Sequence, residues 1–205
     1  NNDEQLSRLL RVSLPGSGES LRDWQAVVIG GGVINGISLR GIWPKQHLED
    51  LLQDNPSLAK RWQRALEQAS VMVENELVPR GTRYDALRMI AMESWKSRGD
   101  QITKYLKKDV HDELQMGAVS GAVDMKGSEA TQALLTGMDG FSEYNRSLAI
   151  EGLMRSRDRI TALLDAMEGN LFRRDYLSLE QRKRLLSNGD PQLRMRASAL
   201  LGENE

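Results

Sequence analysis

The sequence predicts an all-α fold of stacked helix pairs, with a less regular helical layer covering its first end. Composition is the first ground. Of 205 residues, 40% are hydrophobic, 28% charged and only 5% aromatic. Leu, Ala, Met, Arg and Glu lose little side-chain freedom in a helix, whereas strands want β-branched and aromatic residues. The second ground is periodicity: long runs with apolar residues at helical spacing are separated by short polar breaks. The third is recurrence, because from Arg83 onward these runs come in similar pairs.

Taken in order, Asn1–Val12 is a short amphipathic piece with Leu6, Leu9 and Leu10 on one face. Leu14-Pro-Gly-Ser-Gly-Glu-Ser20 is a loop, and Ser20 is placed to cap a helix through Trp24, Val27 and Val28. Gly30–Gly32, followed by Gly36, is expected to weaken that helix at its end. Trp43-Pro44 breaks the chain, since proline restricts the residue before it. Pro44–Gln53 and Pro56–Glu76 are two further helices. The second carries Leu58, Trp62, Leu66, Ala69 and Val73 at helical spacing and starts with proline, whose missing N–H costs nothing there. Leu77-Val-Pro-Arg-Gly81 is a loop that divides a cap layer, residues 1–80, from a regular part, residues 81–205.

In that second part Asp85–Ala91 pairs with Gln101–Leu106, Glu113–Ala118 with Glu129–Leu135, and Tyr144–Ala149 with Asp158–Leu164. Pro191–Leu201 is expected to open a fourth pair. An insertion, residues 169–188, precedes it and holds its own helix, capped by Ser178 with Gln181 three residues on. Ala91, Ala118, Ala149 and Ala197 take equivalent places in the first helices, the first three roughly 30 residues apart. One such pair cannot bury its apolar stripe alone, so neighbouring pairs share a continuous core.

Asp190-Pro-Gln-Leu-Arg-Met-Arg-Ala-Ser-Ala-Leu-Leu201 resembles a HEAT-type repeat, whose first helix begins at an Asp-Pro turn. In that family an arginine a few positions on ties neighbouring repeats together, a part open here to Arg194 or Arg196. The resemblance implies a right-handed α-α superhelix of the HEAT/armadillo kind. The order of Tyr144–Leu153, Arg157–Met167, Ser178–Ser187 and Asp190–Leu201 is also similar to the helical segment of planctomycete-type secreted proteins. Those join a sorbosone-dehydrogenase-like β-propeller to HEAT repeats and a c-type cytochrome. The resemblance, over residues 83–201, implies an excised middle domain of a multidomain redox protein, in an extracytoplasmic or periplasmic place. Without it, the charged start of the chain fits a cytoplasmic protein or one whose signal has been removed.

The residues themselves point away from catalysis. With no cysteine, the chain has no disulfide, thiolate metal site or cysteine nucleophile of its own. Gly30-Gly-Gly-Val-Ile-Asn-Gly36 lacks the G-x-G-x-x-G spacing of a dinucleotide site and is expected to serve helix packing. His47 and His111 stand apart from one another. Glu49/Asp50 and Asp112/Glu113 are adjacent on helices, so the members of each pair diverge. No catalytic residue, cofactor or metal is therefore expected.

The net charge of −1 gives no whole-chain argument for nucleic acid or an anionic membrane, and no apolar run approaches the roughly 20 residues of a membrane span. Basic clusters at Lys104/Lys107/Lys108, Arg155/Arg157/Arg159, Arg173/Arg174 and Arg182/Lys183/Arg184 are expected to be solvated, with a nucleic-acid groove as the alternative. The leading expectation is a scaffold that binds a protein partner or flanking domains of its own polypeptide. The second helices normally line the inner face of such a stack, which points to Gln101, Lys104, Gln132, Arg159 and Thr161 as contacts.

Overall fold

The computed structural model describes residues 2–14 and 23–202. The predicted cap at Ser20, and most of the loop before it, lie outside them. Among the described residues the chain forms twelve α-helices and no strand. The first four are α1 (Asn2–Ser13), α2 (Asp23–Ser38), α3 (Pro44–Gln53) and α4 (Pro56–Glu74). Prolines open α3 and α4, and the Asn55 side chain accepts the Leu58 N–H at the start of α4.

The glycines do not end α2, which runs through them to Ser38. They face other helices instead. A Cβ on Gly30 would lie 2.7 Å from Met89 Sδ, and one on Gly31 would lie 2.6 Å from Asp85 Cβ. Absent side chains let the α2 backbone approach its neighbour closely, and that packing gain outweighs the weak helix propensity of glycine.

The neighbour is α5 (Arg80–Ile90), which packs on α2, α4 and α7 (Asp112–Asp124). Between α5 and α7 comes α6 (Trp95–Thr103). There follow α8 (Ser128–Gly137), α9 (Glu143–Leu153), α10 (Arg157–Glu168), α11 (Leu179–Leu186) and α12 (Pro191–Leu201). Single 3₁₀ turns occur at Met138–Gly140 and Arg174–Tyr176. Serine N-caps at 94, 142, 156 and 178 accept the backbone N–H three residues on, and Ser178 with Gln181 completes a capping box. Asp190 does the same for α12.

Two details of the predicted pairing change. The helix expected to open at Asp85 starts at Arg80, so Ala91 falls just beyond its end. Counted from the N-caps Pro79, His111 and Ser142, the alanines in corresponding places are Ala86, Ala118 and Ala149, all fully buried. The second change concerns α12, which packs on α10 and α11 and so stands in line with the second helices α6, α8 and α10. Its partner is α11, whose Gln181 donates to Glu151 of α9 at 2.9 Å. Residues 169–188, expected as an insertion, thus carry the first helix of the fourth pair. The short connection at 187–190 forces α12 to run back beside α11 rather than to begin a new pair.

One buried apolar cluster extends from Leu10 to Leu201 and crosses the boundary drawn at residue 80. Each fully buried leucine or isoleucine, such as Leu87 or Ile150, contributes about 1.5–3 kcal/mol by leaving water. Met89, Met92, Met125, Met138 and Met167 are gap-filling members of this core. Trp62 is buried within it, whereas Trp24 remains exposed.

Candidate interaction surface

Helices α6, α8 and α10 lie side by side, and two grooves flank α8. The groove between α6 and α8 has a volume of about 910 Å³ and is lined largely by apolar surface from Leu106, Ala133 and Gly137. Its depth follows from small residues on α8. A Cβ on Gly137 would lie 3.0 Å from the Leu106 carbonyl oxygen, so only glycine lets the end of α8 sit this close. The second groove, about 420 Å³, runs between α8 and α10 past Ala162, Asp165 and the exposed Leu171. Gln132 and Thr136 line both grooves and form the ridge between them.

The five expected contact residues separate. Gln132 is exposed on the ridge. Lys104 is exposed and lies 3.1 Å from Glu74 of α4. Gln101 is turned to the interior side of α6, where its Nε2 donates to the Ser70 carbonyl at 2.8 Å. Thr161 donates to the Arg157 carbonyl of its own helix at 3.0 Å and lines neither groove.

Arg159 is a correction, because it is buried and offers no contact surface. Its guanidinium donates to the carbonyls of Ala122, Val123 and Met125 at the end of α7, and to Gly152 of α9. The last carbonyls of a helix have no partner within it, and a cation at that end also meets the negative pole of the dipole. Burial, with Arg155 nearby, draws the Arg159 pKa down to about 10 against the pull of Asp124, so it stays charged at neutral pH.

Beside Arg159 stands an ionic network that the sequence reading missed. Buried Asp124 accepts from Arg88 at 3.2 Å, Arg155 at 2.8 Å and Ser38 Oγ at 2.5 Å. Arg88 also donates to Asn35 at 2.7 Å, and Arg155 to the Ile42 carbonyl at 3.1 Å. Arg155, Arg159 and Lys126 then gather around the Trp43 ring at 4.5, 5.1 and 5.5 Å from its centroid, where the ring quadrupole attracts cations. The cap layer and the paired helices are thereby tied together.

A second missed set is Arg83, Gln115 and Asn145, which are buried, as is the capping-box Gln181, each three or four residues after an N-cap. Gln115 shows their role. It donates to the carbonyls of Lys107 and Gly140 and accepts from Asn145, pinning two connections. The available signal was a polar residue recurring in the first turn of successive helices, three or four positions after the cap. Of the two expected linking arginines, Arg196 reaches Asp165 of α10 at 2.6 Å. Arg194 bonds the Asn188 carbonyl instead.

Several of the remaining candidates have local partners. His111 caps α7 by accepting the Glu113 N–H at 3.3 Å, and His47 lies 3.3 Å from an Asp3 oxygen. Glu49 pairs with Lys45, and Asp50 bonds Gln46, so the two carboxylates diverge. Arg157, Arg173 and Arg184 each engage a carboxylate. Among the described residues no helix is long and apolar enough to cross a membrane.

Asp85, packed against Gly31, has its pKa pushed up to about 6 by burial, lowered in part by Arg88 and raised again by Glu113. A folded-state value above the ordinary 3.8 means that the native state prefers the protonated form. Its stabilising effect is complete below the unfolded value and lost as pH rises through 6. Asp85→Asn should therefore unfold at higher denaturant than the parent at pH 8. Because Asp85 keeps some solvent contact, the gain is about 1 kcal/mol, less than the full shift would give. Unfolding curves at pH 4 and pH 8 check this, since a gap of equal size at both would remove the carboxyl as its source.

No family model, curated protein or solved structure matches this chain.

Proposed function

We propose that this chain is a non-catalytic helical-repeat scaffold. In this reading its pairs are HEAT-like units wound in a right-handed superhelix, and the second-helix face holds a protein partner or flanking domains of the same polypeptide. The observation that carries it is the pair of grooves on either side of α8, joined across the Gln132–Thr136 ridge into one furrowed surface. Such surfaces suit extended contact with a polypeptide, and stacked helix pairs hold them rigid. The resemblance of residues 83–201 to the middle region of secreted propeller–cytochrome proteins supports a spacer within a multidomain redox protein placed outside the cytoplasm.

A photo-crosslinking amino acid at Gln132, compared with one at the exposed Tyr144 of the first helix α9, tests this reading in cells. Crosslinks to a defined polypeptide should concentrate at Gln132. Equal yields from both positions would remove the second-helix face as the docking surface. Purified chain that binds duplex DNA at low salt and releases it steeply as salt rises would instead favour the nucleic-acid alternative.

A further inference from the structure

Resting on the scaffold reading, we infer that the groove between α6 and α8 takes an acidic amphipathic segment of a partner polypeptide. The segment's apolar side chains rest on Leu106, Ala133 and Gly137, and its carboxylates meet Lys107 and Lys108. The volume, about 910 Å³, lies within the roughly 300–1,000 Å³ typical of ligand sites. The floor is apolar, so a wholly charged segment would leave it wet, whereas an amphipathic one covers it.

Charge sets the sign of the partner. Lys107 and Lys108 line one end of the groove with no ion-pair partner among the described residues, whereas Lys104 is engaged by Glu74. Their backbone is held in place. Gln115 donates to the Lys107 carbonyl at 2.8 Å, and a Cβ on Gly140 would lie 3.1 Å from Lys108 N. The two ammonium groups therefore project from a fixed stretch, which lowers the ordering cost of meeting a ligand.

The groove is also polar along its length. Glu129, bonded to Ser128 Oγ at 3.3 Å, stands near the start of α8, while Gly137 and the lysines mark its end. Eight residues of helix separate the two ends by about 12 Å. An occupant whose acidic residues cluster at one end is thus held in one direction. The neighbouring groove has Asp139 and Asp165 in its wall, Asp165 already paired with Arg196, and no basic residue in its lining, so it offers the carboxylates of the same segment no partner. Between two apolar furrows, charge selects the first.

The test uses the full 205-residue chain and two synthetic peptides. One is an amphipathic helix of Leu, Ala and Glu, and the other carries Lys in place of each Glu. The acidic peptide should bind, with NMR shifts confined to Leu106, Lys107, Ala133 and Gly137, and should weaken as NaCl rises from about 50 to about 500 mM. The exposed pair Lys107→Glu/Lys108→Glu should lower its affinity about tenfold and admit the basic peptide. A bulkier floor, Ala133→Phe, should block both. Equal binding of the two peptides, shifts outside the groove, or no binding at millimolar peptide would each overturn the inference. If the acidic peptide fails while Gln132 still crosslinks one polypeptide, the scaffold reading stands and the acidic partner falls. Loss of both results removes both.

Discussion

Asp124→Ala is expected to lower the unfolding free energy by about 3–5 kcal/mol, the usual cost of removing one member of a buried ion pair. Asp124 is buried and is the carboxylate for both Arg88 and Arg155. Without it the Arg88 guanidinium, itself almost fully buried, keeps only Asn35 and the Tyr84 hydroxyl. A charge left unpaired away from water costs far more than the bond that was lost. Ser38 would lose its acceptor as well, loosening the end of α2. For a chain of this size the change corresponds to a Tm drop of about 10 °C. Chemical denaturation with matched thermal melts measures it, and a loss below about 1 kcal/mol would show that water or rearrangement replaces the carboxylate. Arg88→Met combined with Asp124→Leu should recover part of the loss, because the nearly fully buried Arg88 charge is then no longer left unpaired, while the less buried Arg155 keeps the Ile42 carbonyl.

The second large effect separates two neighbouring glycines. Gly31→Leu should destabilise by about 3 kcal/mol or more, because its Cβ would lie 2.6 Å from Asp85 Cβ and the rest of the side chain has no space. Gly32 has no heavy atom within 4 Å of a built Cβ, so Gly32→Ala should gain about 0.5–1 kcal/mol from better helix propensity. Opposite signs at adjacent positions are the signature of helix-to-helix contact, since propensity alone would favour both changes. If Gly31→Ala also stabilises, α2 does not approach α5 as closely as described.

Much of the local structure was legible in the residues. Proline at 44 and 56, the Ser178–Gln181 capping box and the Asp190-Pro191 turn mark helix starts by chemistry confined to one turn of chain. The helical spacing of Leu58, Trp62, Leu66, Ala69 and Val73 fixes the buried stripe of α4 for the same reason. All-α character follows from composition summed over many such segments. The positions of Gln132 and Lys104 on the exposed side of the second helices were also within reach, because helix periodicity tells which side of a helix is polar.

The sequence by itself therefore determined the class of fold, most helix starts and the apolar faces, all of which depend on residues within a few positions of one another. Tertiary structure alone decided that Arg159 is an interior cap for α7 and that Asp124 is shared by Arg88 and Arg155. Those partners lie 31 to 37 residues apart, and a basic cluster reads the same in sequence whether its guanidinium meets water or the end of a helix. The layer occupied by α12 belongs to this second group too. It depends on whether α11 packs beside α9, a contact made through Gln181, Arg184 and Glu151 and invisible in the helical period of either segment. Spacing records which side of a helix is apolar; which helix covers that side is settled by the packing of the whole chain.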